Sequence, residues 1–120
     1  MKLLLFIHAN EQVRERMTES ARKQILGEYL QLTEQLQKAG QYVAGAPLQP
    51  TSTATSVRVR DDKRLVTDGP FAETREQLGG YYLIDVANRE DALSVAAKIP
   101  GARWGTVEVR PVMEIPGLPV

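Results

Sequence analysis

From Lys2 to His8 the chain is a nearly unbroken apolar run. A run of that length predicts a strand covered on both faces, and therefore a central one. Residues 9–18 are polar, carry two arginines and predict a loop. Thr18 is a helix-capping residue type, and Glu19 follows it at the positive end of the dipole. Ile25, Tyr29, Leu32 and Leu36 then recur at spacings of four, three and four, which places them on one helical face. Gly40 stands where a left-handed C-cap belongs, so the spacing predicts a helix over 19–39.

Tyr42 to Gly45 predicts a short strand leading into a loop marked by Pro47 and Pro50. From Thr53 to Arg60 the positions alternate. Thr53, Thr55, Val57 and Val59 fall on one face, with Arg58 and Arg60 on the other. Asp61-Asp62-Lys63 makes a turn and Arg64 to Thr67 returns, which predicts a β-hairpin. Asp68-Gly69-Pro70-Phe71 is a loop by its backbone chemistry. Glu73 to Leu78 predicts a short turn of helix. Tyr81 to Val86 is a strand.

Asn88 caps a second helix, with Leu93, Ala96, Ala97 and Ile99 as its apolar side, and Pro100-Gly101 stops it. Thr106 to Ile115 is the last strand, interrupted at Pro111. The tail from Pro116 to Val120 is either mobile or docked on a partner.

Without the hairpin the order is β-α-β-β-α-β, the ferredoxin-like pattern of an α+β fold with two helices on one face of an antiparallel sheet. Two helices cover one face only. The other carries Val, Tyr, Leu and Ile, and a second copy of the chain would cover it. A homodimer is therefore expected.

With 120 residues and 42% hydrophobic positions, the chain predicts one domain spanning 1–120 with its own core. Fifteen basic residues balance fifteen acidic ones. No dense basic block is present, so neither nucleic acid nor a membrane surface is expected as a partner. The absence of cysteine removes thiolate catalysis, disulfides and thiolate metal sites, and fits a cytoplasmic location. The apolar N-terminal run is too short for a signal-peptide core.

The stretch from Asp68 to Val86 reads DGPFAETREQLGGYYLIDV. With the start MKLLLFIHAN, the middle LQPTSTATSVRVRD and the end VEVRPVMEI, it resembles the DGPF proteins of the YCII-related superfamily over nearly the whole chain. The resemblance implies a dimeric ferredoxin-like α/β-barrel. It implies little about activity, since these bacterial proteins are largely uncharacterised. Their genes often lie beside those of extracytoplasmic-function sigma factors. A dehydrochlorinase in the superfamily pairs a His on its first helix with an Asp near the end of its second. This chain has no His on its first helix, and Pro100-Gly101 holds the other position, so that pair does not carry over.

His8 is the only histidine, the side-chain type that titrates near neutrality. It is a candidate for acid–base chemistry, or else a structural residue. Asp68 is a general base, or a turn builder whose carboxylate caps the backbone N–H groups after it. Gly69 and Pro70 shape the loop, and Phe71 is a pocket wall or a core residue. Tyr82 joins these as a candidate ligand contact. Arg58, Arg60 and Arg110 lie on strands and clamp an anion, or else form a solvated face with ion pairs to Glu108 or Asp62, and Glu73 and Glu76 either point to the site or are helix-surface charges. No metal-ligand spacing is visible and no cofactor is expected.

Two functions stay open at this point. One is a domain that binds a small polar or anionic metabolite or acts on it by proton transfer. The other is a non-enzymatic regulatory module tied to extracytoplasmic-function sigma factors.

Overall fold

A computed structural model describes residues 1–120. The elements run β1 (Lys2–Ala9), α1 (Glu11–Glu15), α2 (Glu19–Lys38), β2 (Tyr42–Pro47), β3 (Thr55–Arg60), β4 (Lys63–Asp68), β5 (Gln77–Asp85), α3 (Arg89–Lys98) and β6 (Thr106–Pro111). One antiparallel sheet has the order β2-β5-β1-β6, and β3 and β4 form a separate two-stranded sheet. Once that arm is set aside, this is the strand order of a ferredoxin-like β-α-β-β-α-β chain, with β1 central.

The helices form where their caps allow. The Thr18 hydroxyl accepts from the Ala21 amide, and Asn88 does the same for Asp91. At the end of α2, Gly40 takes φ +70° while the amides of Gly40 and Gln41 reach back to the carbonyls of Gln37 and Leu36. That closure needs a left-handed residue, which glycine supplies without strain.

A cluster of ten buried residues joins the sheet to the helices, built on Leu3 and Leu5 of β1, Tyr82 and Ile84 of β5, Leu32 and Leu36 of α2, and Val95 of α3. In α3 the buried set is Ala92, Val95 and Ala96, with Ile99 just beyond, rather than the stripe through Leu93 and Ala97. No helix is long and apolar enough to cross a membrane.

Several boundaries differ from the expectation. The polar loop 9–18 contains α1, capped by the Asn10 side chain on the Gln12 amide. The predicted helical turn at 73–78 is absent. Gln77 instead pairs with Ala9 and begins β5, because its side chain joins both neighbours. Its amide nitrogen donates to the Thr74 carbonyl (2.5 Å), and its amide oxygen accepts from the Glu11 backbone N–H (2.9 Å). Thr51–Thr53 make a 3-10 turn, so β3 starts at Thr55. β6 ends at Pro111, where the ladder loses a donor, and not at Ile115.

The fold leaves much surface open. The chain exposes 8800 Å², against about 6,450 Å² for a compact 13.3 kDa monomer. Its Cα radius of gyration is 16.3 Å, where about 13.6 Å is typical at this length.

Candidate functional site

Period-two alternation sends Leu3, Leu5 and Ile7 of β1 to the helix side, and Leu4, Phe6 and His8 to the other face. The pairing register aligns further residues with them. Leu4 stands between Leu83 and Arg110, Phe6 between Tyr81 and Glu108, and His8 between Leu78 and Thr106. The helix-free face is therefore an apolar floor of Leu4, Phe6, Tyr81 and Leu83, with its polar groups gathered toward β6.

His8 occupies a special place on that floor. The β1–β5 register shifts between Ile7, opposite Gly80, and His8, opposite Leu78. Gly79 is the extra residue of a β-bulge. Bulges re-aim side chains locally, and they recur beside active sites. The imidazole is 30% exposed, and its Nε2 lies 3.6 Å from Oε1 of Glu108. This is ion-pair range for a protonated ring and too long for a direct hydrogen bond. Oε2 of the same carboxylate accepts from Nη2 of Arg110 (3.2 Å), whose guanidinium lies 5.9 Å from the centre of the Phe6 ring. A second carboxylate stands nearby, since the Thr106 hydroxyl donates to Oε1 of Glu76 (2.9 Å). Behind the strand, Gly105 lies so close to the His8 carbonyl that a Cβ there would come within 2.1 Å of it.

The site thus offers one imidazole, a carboxylate beside it, a cation on that carboxylate, and an apolar surface. Such a set can take up and return a proton next to a bound anion.

The other sequence candidates lie elsewhere. Asp68 ends β4, opposite Thr55, and its carboxylate makes no hydrogen bond or ion pair, so it does not cap the turn. Gly69 closes that turn at φ +101°. Its amide donates to the Ala54 carbonyl (2.7 Å), and its carbonyl accepts from the Ser56 hydroxyl (2.8 Å). Pro70 is exposed, and Phe71 is 82% exposed, which excludes the core reading. Arg58 and Arg60 share the outer face of the arm with exposed side chains. Arg60 donates only to its neighbour's carbonyl, and neither pairs with Glu108 or Asp62. No hydrogen bond or ion pair joins any of these residues to His8.

Tyr82 faces the helices, where its hydroxyl bonds that of Thr33 (2.8 Å). Burial raises its pKa above the usual tyrosine value, and it does the same for Tyr29, whose oxygen accepts from the Gly101 amide. The tyrosine on the His8 face is Tyr81. Glu108, Arg110 and Glu76 stand among the charged residues of the sequence reading, but their grouping beside His8, and the bulge at Gly79, come from strand register. Their signal is the even spacing of Thr106, Glu108 and Arg110 on one face of β6. Two open concavities lie elsewhere, one between Leu32 and Ile99 beside α2 and one around Lys2 under the tail.

Fold and site together define a small ferredoxin-like α+β domain with an open, histidine-bearing sheet face. Residues 1–116 match the family model of the YCII-related domain, and the chain belongs to that family. It is 44% identical over 77 residues to an uncharacterised protein of Rhizobium meliloti (strain 1021), a match that covers 62% of each chain.

Proposed function

We propose that the domain binds a small anionic metabolite on the open sheet face and moves a proton on it, with His8 as acid and base. The observation that carries this reading is the His8–Glu108–Arg110 row, which starts where His8 faces the β5 bulge. Glu108 places a carboxylate beside the imidazole, 3.6 Å from its Nε2. Arg110 holds Glu108 in place and leaves guanidinium N–H groups free for a carboxylate or phosphate. The ligand lies along this row on the β6 side, and the apolar floor of Leu4, Phe6, Tyr81 and Leu83 borders it.

The reading includes a second copy of the chain over this face, as in a dimeric α/β-barrel. Leu4, Phe6, Tyr81 and Leu83 are part-buried in the single chain and form one apolar strip that a second copy would cover. The surplus of exposed surface over a compact monomer exceeds the ~800 Å² that each partner contributes to a standard interface. Covering the site would exclude water and strengthen each charge interaction within it.

A thermal-shift screen of carboxylate- and phosphate-bearing metabolites tests the proposal, run on the wild-type protein, His8→Gln and Glu108→Gln. Compounds in these classes stabilise the wild type, and both variants lose that response. Where turnover is detected, His8→Gln lowers it by roughly 10²- to 10⁴-fold. A wild type that responds to no compound, or a His8→Gln variant that responds as strongly, defeats the proposal.

A further inference from the structure

The β3–β4 arm is the most exposed element of the chain and has no core of its own. Its register sets Thr55 opposite Asp68, Val57 opposite Val66 and Val59 opposite Arg64, so these six residues share one face. On that face Val57, Val59 and Val66 are 60%, 62% and 55% exposed. The reverse face carries Arg58, Arg60 and Lys63 with a single large apolar residue, Leu65, opposite Arg58. Two strands alone are marginally stable in water, and a valine face left wet adds nothing to them.

The base of the arm, in contrast, is firmly held. Glu11 of α1 accepts from both the amide and the hydroxyl of Thr51 (2.8 and 3.0 Å), and the Leu48 amide donates to the Gly79 carbonyl (2.9 Å). Pro47 and Pro50 stiffen the exit from β2. The arm, about 20 Å long at strand rise, is thus held out from the body with its apolar side uncovered.

We infer that the arm is a clasp for a second copy of this chain. Its Val57–Val59–Val66 face lies on the open sheet face of that copy, over Leu4, Phe6, Tyr81 and Leu83. This rests on the pairing put forward above and adds the element that makes it. The two apolar surfaces occur once each per chain, so a two-fold arrangement satisfies both at once, with arm on face and face under arm. The whole chain's surface exceeds that of a compact monomer by more than one partner's share of a standard interface. Asp68 shares the clasping face and turns toward the seam, while Arg58 and Arg60 remain outside it.

The chain has no cysteine, so an introduced one reports alone. A tagged Val57→Cys chain is mixed with untagged Ala46→Cys or Arg110→Cys chains, whose positions flank the open face, and treated with a short bismaleimide. The clasp gives cross-linked tagged–untagged pairs. Separately, Val57, Val59 and Val66 are all changed to Ser, and the dissociation constant of the pair rises roughly tenfold or more. If the wild type pairs but the serine variant pairs as tightly, the clasp is wrong and the pairing stands. The same holds if only Val57–Val57 products or none form. If the wild type is a single folded chain by light scattering, the pairing itself fails.

Discussion

His8 could be singled out from the sequence because it is the only imidazole. Its partner could not, since Glu108 is brought to it by a register between strands 100 positions apart. The choice between Tyr81 and Tyr82 is of the same kind. A one-residue change of register flips every side chain of a strand to the opposite face, and the bulge at Gly79 is not visible in the letters GGYYL. Tyr82 went to the core, and that placement predicts a pH response. Burial raises the pKa of both Tyr82 and Tyr29, so the fold favours the neutral phenols. Their contribution is fully present below the unfolded tyrosine value near 10. It is lost as pH rises from there through the folded values. Urea unfolding between pH 8 and 11 therefore shows stability falling above pH 10. The fall is shallower in Tyr82→Phe and Tyr29→Phe, and equal slopes in all three proteins would refute the assignment.

At the scale of elements, apolar periodicity located β1, α2, the arm and α3 within a few residues of their observed ends. It failed where polar side chains decide the structure. α1 is five residues of mostly polar sequence held by the Asn10 cap, and it has no apolar stripe to reveal it. The segment before β5 has helix-forming letters, but Gln77 is used in pairing with β1. The turn of the arm carries its own cost. Asp61 and Asp62 sit at φ +50° and +59°, both left-handed, in a two-residue loop where Asn-Gly is the favoured pair. Aspartate tolerates this region better than most residues, but glycine at the second position carries no Cβ to strain there. The double change Asp61→Asn with Asp62→Gly is expected to slow amide exchange across β3 and β4 by several-fold, with the core unaffected. Unchanged exchange in the arm would show that the turn is not what limits it.

For the whole molecule, the sequence contained the element order and hence the ferredoxin-like sheet, together with the imbalance between two broad helices and a sheet apolar on both sides. It did not show how far the arm stands away from the body. Nothing local distinguishes a hairpin that packs on its own sheet from one that projects, because the difference lies in the Glu11–Thr51 and Leu48–Gly79 bonds at its base. The open face, the bulged histidine and the projecting arm all fit a molecule that is half of its working form. Sedimentation equilibrium on the unmodified chain at micromolar concentration tests this most directly. A single species of twice the 13.3 kDa chain mass is predicted. A single, fully folded species at the mass of one chain would contradict it.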